Sequence, residues 1–356
     1  MAFLRNAWYP AGWDYEVEQD KLLNRKLLNE NILFFRDSQG VAQAVHDRCP
    51  HRFAPLHMGT LDGDSVRCAY HGLEFNGRGE CVHNPHGDGK IPKAAKVKAY
   101  PLVERYGVLW IWMGAPELAT PDTIPFFEAL DPELYYIGRD YLHARANYVL
   151  ETDNIMDLSH IEYLHPSTLG SSSVSQATTV VEQDGDTVWS KRLIQNEIMP
   201  SFLYDIFDFP PDTRVDRWLD VRWDAPATLL LNTGATRTGS SREEGSPVPT
   251  VHFFTPETET TTHYWFGISF PKRLAEVGEQ KAKMYIQGLR VPFETEDLPM
   301  LEAQQASMGD EDFWDLKPIL LIGDAGAIRA RRILDRLILE EQNSLNPSSR
   351  NVESPA

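Results

Sequence analysis

Two short segments constrain this chain more than anything else in it. The first reads Cys49-Pro50-His51-Arg52. The second follows His51 after sixteen intervening residues and reads Cys68-Ala69-Tyr70-His71-Gly72. Each puts one thiol and one imidazole on a short turn, and thiolate with imidazole is a donor set for zinc or iron–sulfur clusters. Brought together, the two turns make either a tetrahedral zinc site or a [2Fe–2S] cluster with Cys on one iron and His on the other. The Cys-x-His spacing departs from the usual zinc-knuckle spacings. The chain has only 3 Cys, and Cys81 stands outside the pattern. So small and odd a count excludes a disulfide framework and fits a reducing compartment.

A second concentration of ligand types runs from Glu151 to Pro166. Asn154, Asp157 and His160 are three apart and so share one side of a helix. His165 falls about 140° off that side at five residues from His160. The two rings converge if the helix loosens at its end, which Pro166 favours. Two imidazoles and a carboxylate make the facial triad of non-heme Fe(II) oxygenases. A third ligand has to come from far along the chain. The helical stretch 287–305 offers Glu294, Glu296, Asp297 and Glu302, and residue type alone does not choose among them.

Around these motifs the chain divides. Residues 1–115 read as short strands and turns, at Lys26–Arg36, Val41–Asp47, Val66–Phe75 and Val108–Met113, with Asn76-Gly77 as a hairpin signal. Residues 114–133 are spaced by proline like a linker. Residues 116–342 mix a helical stretch (148–164) with strands at Thr187–Ile194, Trp218–Trp223, Ala227–Thr233, Thr250–Thr255 and Thr260–Ile268. Helices follow at 273–309, interrupted near Pro292 and Pro299, and at 325–342. The fold class is therefore α+β. The polar tail 343–356 is expected to be disordered. A net charge of −18 argues against nucleic acid and anionic membranes as partners. With no run of about 18 apolar residues and no leader-like opening segment, the expectation is a cytoplasmic protein.

The Cys/His segments resemble the cluster motif of Rieske non-heme iron oxygenases, and Asn154-x₂-Asp157-x₂-His160-x₄-His165 is similar to the iron motif of the same family. Leu4-Arg-Asn6-Ala-Trp8-Tyr9, Tyr70-His-Gly-Leu-Glu-Phe75, Leu109-Trp-Ile-Trp112 and Asp324-Ala-Gly with Arg331-Arg-Ile-Leu334 look like the vanillate and dicamba O-demethylase branch. The resemblance implies an N-terminal all-β Rieske domain whose [2Fe–2S] cluster is held by Cys49, His51, Cys68 and His71. It implies a C-terminal helix-grip-like domain, an antiparallel sheet with helices, whose mononuclear Fe(II) is held by His160 and His165. Asp297 matches the family's carboxylate ligand, with Glu296 as the fallback. Asp157 matches an aspartate that bridges a cluster histidine (His71) of one subunit to an iron histidine (His160) of the next, which implies a homotrimer, and Asn154 completes the motif. Asn232 and His252 match substrate-contacting positions. A third such position, a Trp in the family, falls on Gly288, which implies a bulkier or less carboxylate-like substrate.

The implied activity is that of a terminal oxygenase. It uses O₂ and NAD(P)H electrons, delivered by a separate ferredoxin or flavin-containing reductase, to O-demethylate a methoxylated aromatic with release of formaldehyde. The alternatives are N-dealkylation of a chloroacetanilide-like amide, ring or methyl hydroxylation on the same iron, and a non-catalytic zinc or electron-transfer protein.

Overall fold

The computed structural model describes residues 3–345. The chain forms two compact units, residues 5–124, and residues 125 onward together with the first residues of the chain.

The first unit is built from ten short strands: β1 (Trp8–Trp13), β2 (Leu23–Leu27), β3 (Glu30–Arg36), β4 (Ala42–His46), β5 (Thr60–Asp62), β6 (Ser65–Arg67), β7 (Glu74–Asn76), β8 (Cys81–His83), β9 (Leu102–Arg105) and β10 (Val108–Trp112). They make three antiparallel sheets, ordered β1-β10-β9, β2-β3-β4 and β5-β6-β7-β8. The apolar stretch 26–36 is a hairpin rather than one strand, because Leu28 and Asn29 both take positive φ, the geometry of a tight primed turn. The Asn76-Gly77 turn is longer than two residues. Asn76 Oδ1 accepts from the amides of Arg78 and Glu80, and Gly79, not Gly77, takes the left-handed conformation at φ +76°. Leu33, Phe35, Val45, Leu56, Val66 and Phe75 form a core that also buries Cys49 and Cys68.

Within the Pro-spaced stretch 114–133 the chain makes single 3-10 turns at Pro116–Leu118, Pro121–Thr123 and Glu128–Leu130. The second unit then begins with β11 (Tyr135–Ala144), α1 (Tyr148–Met156) and α2 (Ile161–Leu164). It continues through β12 (Thr178–Asp184), β13 (Thr187–Ile198), α3 (Ser201–Phe207), β14 (Arg214–Asp224), β15 (Thr228–Arg237), β16 (Ser246–Thr258) and β17 (Thr261–Pro271). It ends in α4 (Ala275–Pro292), α5 (Leu298–Met308) and α6 (Ala325–Leu345). The seven strands form one antiparallel sheet in the order β11-β17-β16-β15-β14-β13-β12, against which α1, α3, α4 and α6 pack. Gly138 lets α4 lie close on β11, since a Cβ there would meet the Ala282 carbonyl oxygen at 2.3 Å.

Two helical expectations change. The stretch 148–164 is not one helix. It breaks at Asp157 (φ −120°, ψ 90°), whose carboxylate caps a 3-10 turn, Leu158–His160, by accepting from the Ser159 amide. The interruption of 273–309 does fall between Pro292 and Pro299, but as a change of helix type rather than a break in the helical chain. The helix runs on through a π-helical turn, Phe293–Asp297, in which the Leu298 amide bonds back to the Phe293 carbonyl. Of the tail expected to be disordered, residues 343–345 extend α6 and 346–356 lie outside the described residues. No helix among the described residues is long and apolar enough to cross a membrane.

Candidate active site

In the second unit His160, His165 and Asp297 converge. Among the described residues they are the one group of three or more His, Cys, Asp or Glu whose ligand atoms all lie within 4.8 Å of one another. The break at Asp157 carries His160 round toward His165, and the π turn presents Asp297 to both. Asp297 Oδ1 lies 3.0 Å from His165 Nε2 and 3.6 Å from His160 Nε2. The other ring nitrogens are tied back. His160 Nδ1 donates to the Asp157 carbonyl at 2.8 Å, and His165 Nδ1 donates to Glu296 Oε2 at 2.6 Å. Those bonds assign the ring protons to Nδ1 and leave both Nε2 lone pairs facing a carboxylate oxygen, an arrangement that fits a cation. Burial lowers the pKa of His160 despite Asp297. Burial also acts to lower that of His165, but the Asp297 and Glu296 carboxylates outweigh it and raise the value.

The four acidic candidates on the distant helix therefore separate by partner. Asp297 joins the histidines and accepts from Asn154 Nδ2 at 3.0 Å. Glu296 orients His165 and is itself held by the Thr168 hydroxyl. Glu294 pairs with Arg290, and Glu302 with Arg145. The Asp157 carboxylate does not reach His160. It accepts from Arg192 Nη2 at 2.9 Å and from Ser159, while its backbone carbonyl holds the ring.

In the first unit the two Cys/His turns are built alike. The amide of Phe53 bonds back to the Cys49 carbonyl, and that of Gly72 to Cys68. The Cys49 amide bonds to Ala54 O, and the Cys68 amide to Leu73 O. The fourth residue after each Cys is left-handed, Phe53 at φ +61° and Gly72 at φ +71°. The His51 and His71 rings lie 4.4 Å apart. His71 Nδ1 is buried with no hydrogen-bond partner, and burial pushes the Cys49 thiol up to about 11. A metal bond satisfies the first and offsets the second. No three of these four residues bring ligand atoms within 4.8 Å of one another. A single zinc with bonds of about 2.0–2.3 Å requires that convergence, whereas a two-iron cluster holds its Cys and His apart. Cys81 is outside the group, its thiol turned to the His83 carbonyl.

The His-His-Asp group opens on a cavity of about 700 Å³ of atom-free space, part of it open to solvent. Its walls are mostly apolar, from Ile155 and Leu203 on helices to Leu219, Val248 and Ile268 on the sheet. His252 lines it and is spoken for on both nitrogens, by Tyr264 Oη at 2.7 Å and Thr250 Oγ1 at 2.9 Å. Full burial pushes its pKa down to about 3. Asn232 and Gly288 are not among the lining residues. Strand alternation turns Leu231 and Thr233 inward instead of Asn232. The space over Gly288 is filled by Phe202, whose ring lies 2.7 Å from where a Cβ would stand. Sequence reasoning missed Glu296 as the partner of His165, although its place beside Asp297 was a signal. It also missed the buried pair Arg217 and Glu197, for which no motif exists.

Comparison with known proteins agrees with this geometry. Residues 7–101 match the Rieske [2Fe–2S] domain family, and residues 144–340 match the vanillate O-demethylase oxygenase C-terminal domain family. The iron-sulfur subunit of the toluene-4-sulfonate monooxygenase system of Comamonas testosteroni is 39% identical, over 97% of this chain and 100% of its own. The oxygenase component of chloroacetanilide N-alkylformylase of Rhizorhabdus wittichii is 39% identical, over 95% of this chain and 97% of its own. The crystal structure of dicamba monooxygenase bound to 3,6-dichlorosalicylic acid superposes with a TM-score of 0.89 at 32% identity, covering 96% of this chain and 99% of the other.

Matches of this extent put fold and site in one class, the Rieske monooxygenases with a mononuclear non-heme iron. Within that class the chain belongs to the vanillate and dicamba O-demethylase-like family. The non-catalytic zinc and electron-transfer alternatives fall away. Membership also implies a separate reductase or ferredoxin as electron donor and an aromatic substrate oxidised with O₂.

Proposed function

We propose that this protein oxidatively dealkylates an aromatic substrate, O-demethylating a methoxylated ring with release of formaldehyde. The observation that carries the reading is the His-His-Asp group set at the edge of a mostly apolar cavity. Iron bound there would supply O₂ activation for inserting oxygen into a C–H bond, with the electrons coming from the cluster. The chain's own residues do the rest. His160, His165 and Asp297 would hold the metal, Asn154 and Glu296 fix the carboxylate and one ring, and the apolar part of the wall would hold the substrate. In the other domain Cys49, His51, Cys68 and His71 hold the cluster. The domains assigned to these roles are residues 1–115 and 116–342. N-dealkylation is the second reading, supported by the relative named for a chloroacetanilide.

A homotrimer, in which Asp157 meets His71 of a neighbouring subunit, is part of the proposal. It is supported by the exposed apolar run Leu316, Ile319, Leu321 and Ile322, which ends at Gly323 against the Asp157 carboxylate. A cytoplasmic location follows from the need to assemble an iron–sulfur cluster. The test is product analysis with a surrogate reductase, NADH, and a panel of methoxybenzoates, methoxybenzamides and N-alkyl anilides. Formaldehyde or a dealkylated amide supports the proposal. A hydroxylated ring with the alkyl group intact overturns it.

A further inference from the structure

One wall of the cavity is built around a charge that is already cancelled. Arg217, on β14, lines the cavity and is 2% exposed. Its Nε and Nη2 each donate at 2.8 Å to an oxygen of Glu197, which is 0% exposed, and its Nη1 donates to the Leu169 carbonyl at 3.0 Å. A guanidinium has five N–H donors, so two are left over. Among the described residues lining the cavity, Arg217 is the only Lys or Arg.

Glu197 reaches this position through an irregularity. Along β13 the buried residues are Val188, Ser190, Arg192 and Ile194, and strict alternation would next bury Asn196. The register instead slips between Ile194 and Glu197, Asn196 takes φ +54°, and Glu197 turns inward. A bulge of this kind re-aims a side chain at the expense of the ladder. The carboxylate is therefore set against Arg217 by a local departure from regular strand geometry.

The consequence is for substrate charge. A buried, unpaired guanidinium would draw a carboxylate or sulfonate into a bidentate pair. Here an incoming anion would lose its hydration and meet Glu197 as well as Arg217, so this wall offers it no net charge in compensation. What the pair still offers is N–H donors on a neutral wall, the complement of a carbonyl oxygen. We infer that the substrate is an uncharged aromatic compound bearing a carbonyl-type acceptor, an aryl amide or ketone rather than a benzoate or sulfonate, and that Glu197 sets this preference by cancelling Arg217. The inference rests on the reading of this cavity as the oxygenase substrate site.

The test is a matched pair, 4-methoxybenzamide and 4-methoxybenzoate, titrated calorimetrically into the holoenzyme at about pH 7, where the benzoate is an anion. The amide is expected to bind at least about tenfold tighter. In Glu197→Gln, with the same volume and one charge fewer, the order is expected to invert. Equal or tighter benzoate binding by the wild type overturns the inference, as does an unchanged ratio in a variant whose circular dichroism and Tm show it folded. A second pair needs no variant. 4-Methoxytoluene, which lacks the carbonyl, is expected to bind at least about tenfold more weakly than the amide, and equal binding removes Arg217 as the anchor. Turnover separates the two proposals. An amide that binds but is not dealkylated sinks the dealkylase reading and leaves this inference standing, whereas tight binding and demethylation of the benzoate do the reverse.

Discussion

At the level of single residues, the iron site depends on what holds each ligand from behind. Asp297→Asn keeps the shape and the bond from Asn154 but removes the charge. It should abolish the mononuclear iron while leaving the cluster's visible absorbance intact, so iron per chain falls by about one third when two of three irons belong to the cluster. Glu296→Gln acts more mildly, through His165, and should weaken iron binding by about 10–100-fold, read by chelator competition. His252 tests the burial argument. Its pKa is about 3 folded against 6.5 ordinarily. Between those values the unfolded chain takes up a proton that the folded protein refuses. The stabilising contribution is therefore complete above pH 6.5 and is lost toward pH 3, at up to about 1.4 kcal/mol per pH unit. His252→Gln should flatten that acid limb in a plot of Tm against pH. A limb as steep as the wild type's would mean that other groups produce it.

At the level of elements, the site depends on how helices lie on the sheet. Gly138 admits α4 to β11 with no room for a methyl group, the Ala282 carbonyl and the Ile286 side chain both lying within 3 Å of where a Cβ would stand. Because one of the two obstacles is backbone, Gly138→Ala should cost about 1–3 kcal/mol in denaturant unfolding and shift Asp297, which the same helical rod carries. The elements that escaped sequence reading share a physical reason. β11, with Gly138, Arg139 and Asp140 inside it, has no clean alternation, and β12 is an edge strand with exposed, polar outward residues. The strands β13 to β17, rich in Trp, Leu, Val and Phe, declared themselves, although each runs several residues beyond its apolar centre.

At the level of the whole molecule, the proposed trimer makes its own prediction. Charging the exposed apolar run with Ile319→Glu and Ile322→Glu should lower the light-scattering mass from about three chains to one chain of 40.5 kDa. Turnover should collapse while iron and cluster content hold, because the proposed trimer places the electron route between subunits. A trimer that survives both substitutions would take this surface out of the interface.

The sequence by itself determined the donor set. Rare Cys paired with His at fixed short spacing, and two His with a carboxylate-rich helix, specify which metals can bind, because ligand chemistry belongs to residue type. It also determined the all-β and mixed halves, since periodicity and turn residues act locally. Only the tertiary structure decided between Asp297 and Glu296, which are adjacent in the chain and identical in chemistry but face different atoms of His165 across the π turn. Only tertiary structure turned Asn232 away from the cavity, filled the space over Gly288 with Phe202, and slipped β13 by one residue to put Glu197 on Arg217. Those outcomes depend on long-range packing and on a register shift that reverses which face a side chain takes, and neither is written in any local pattern.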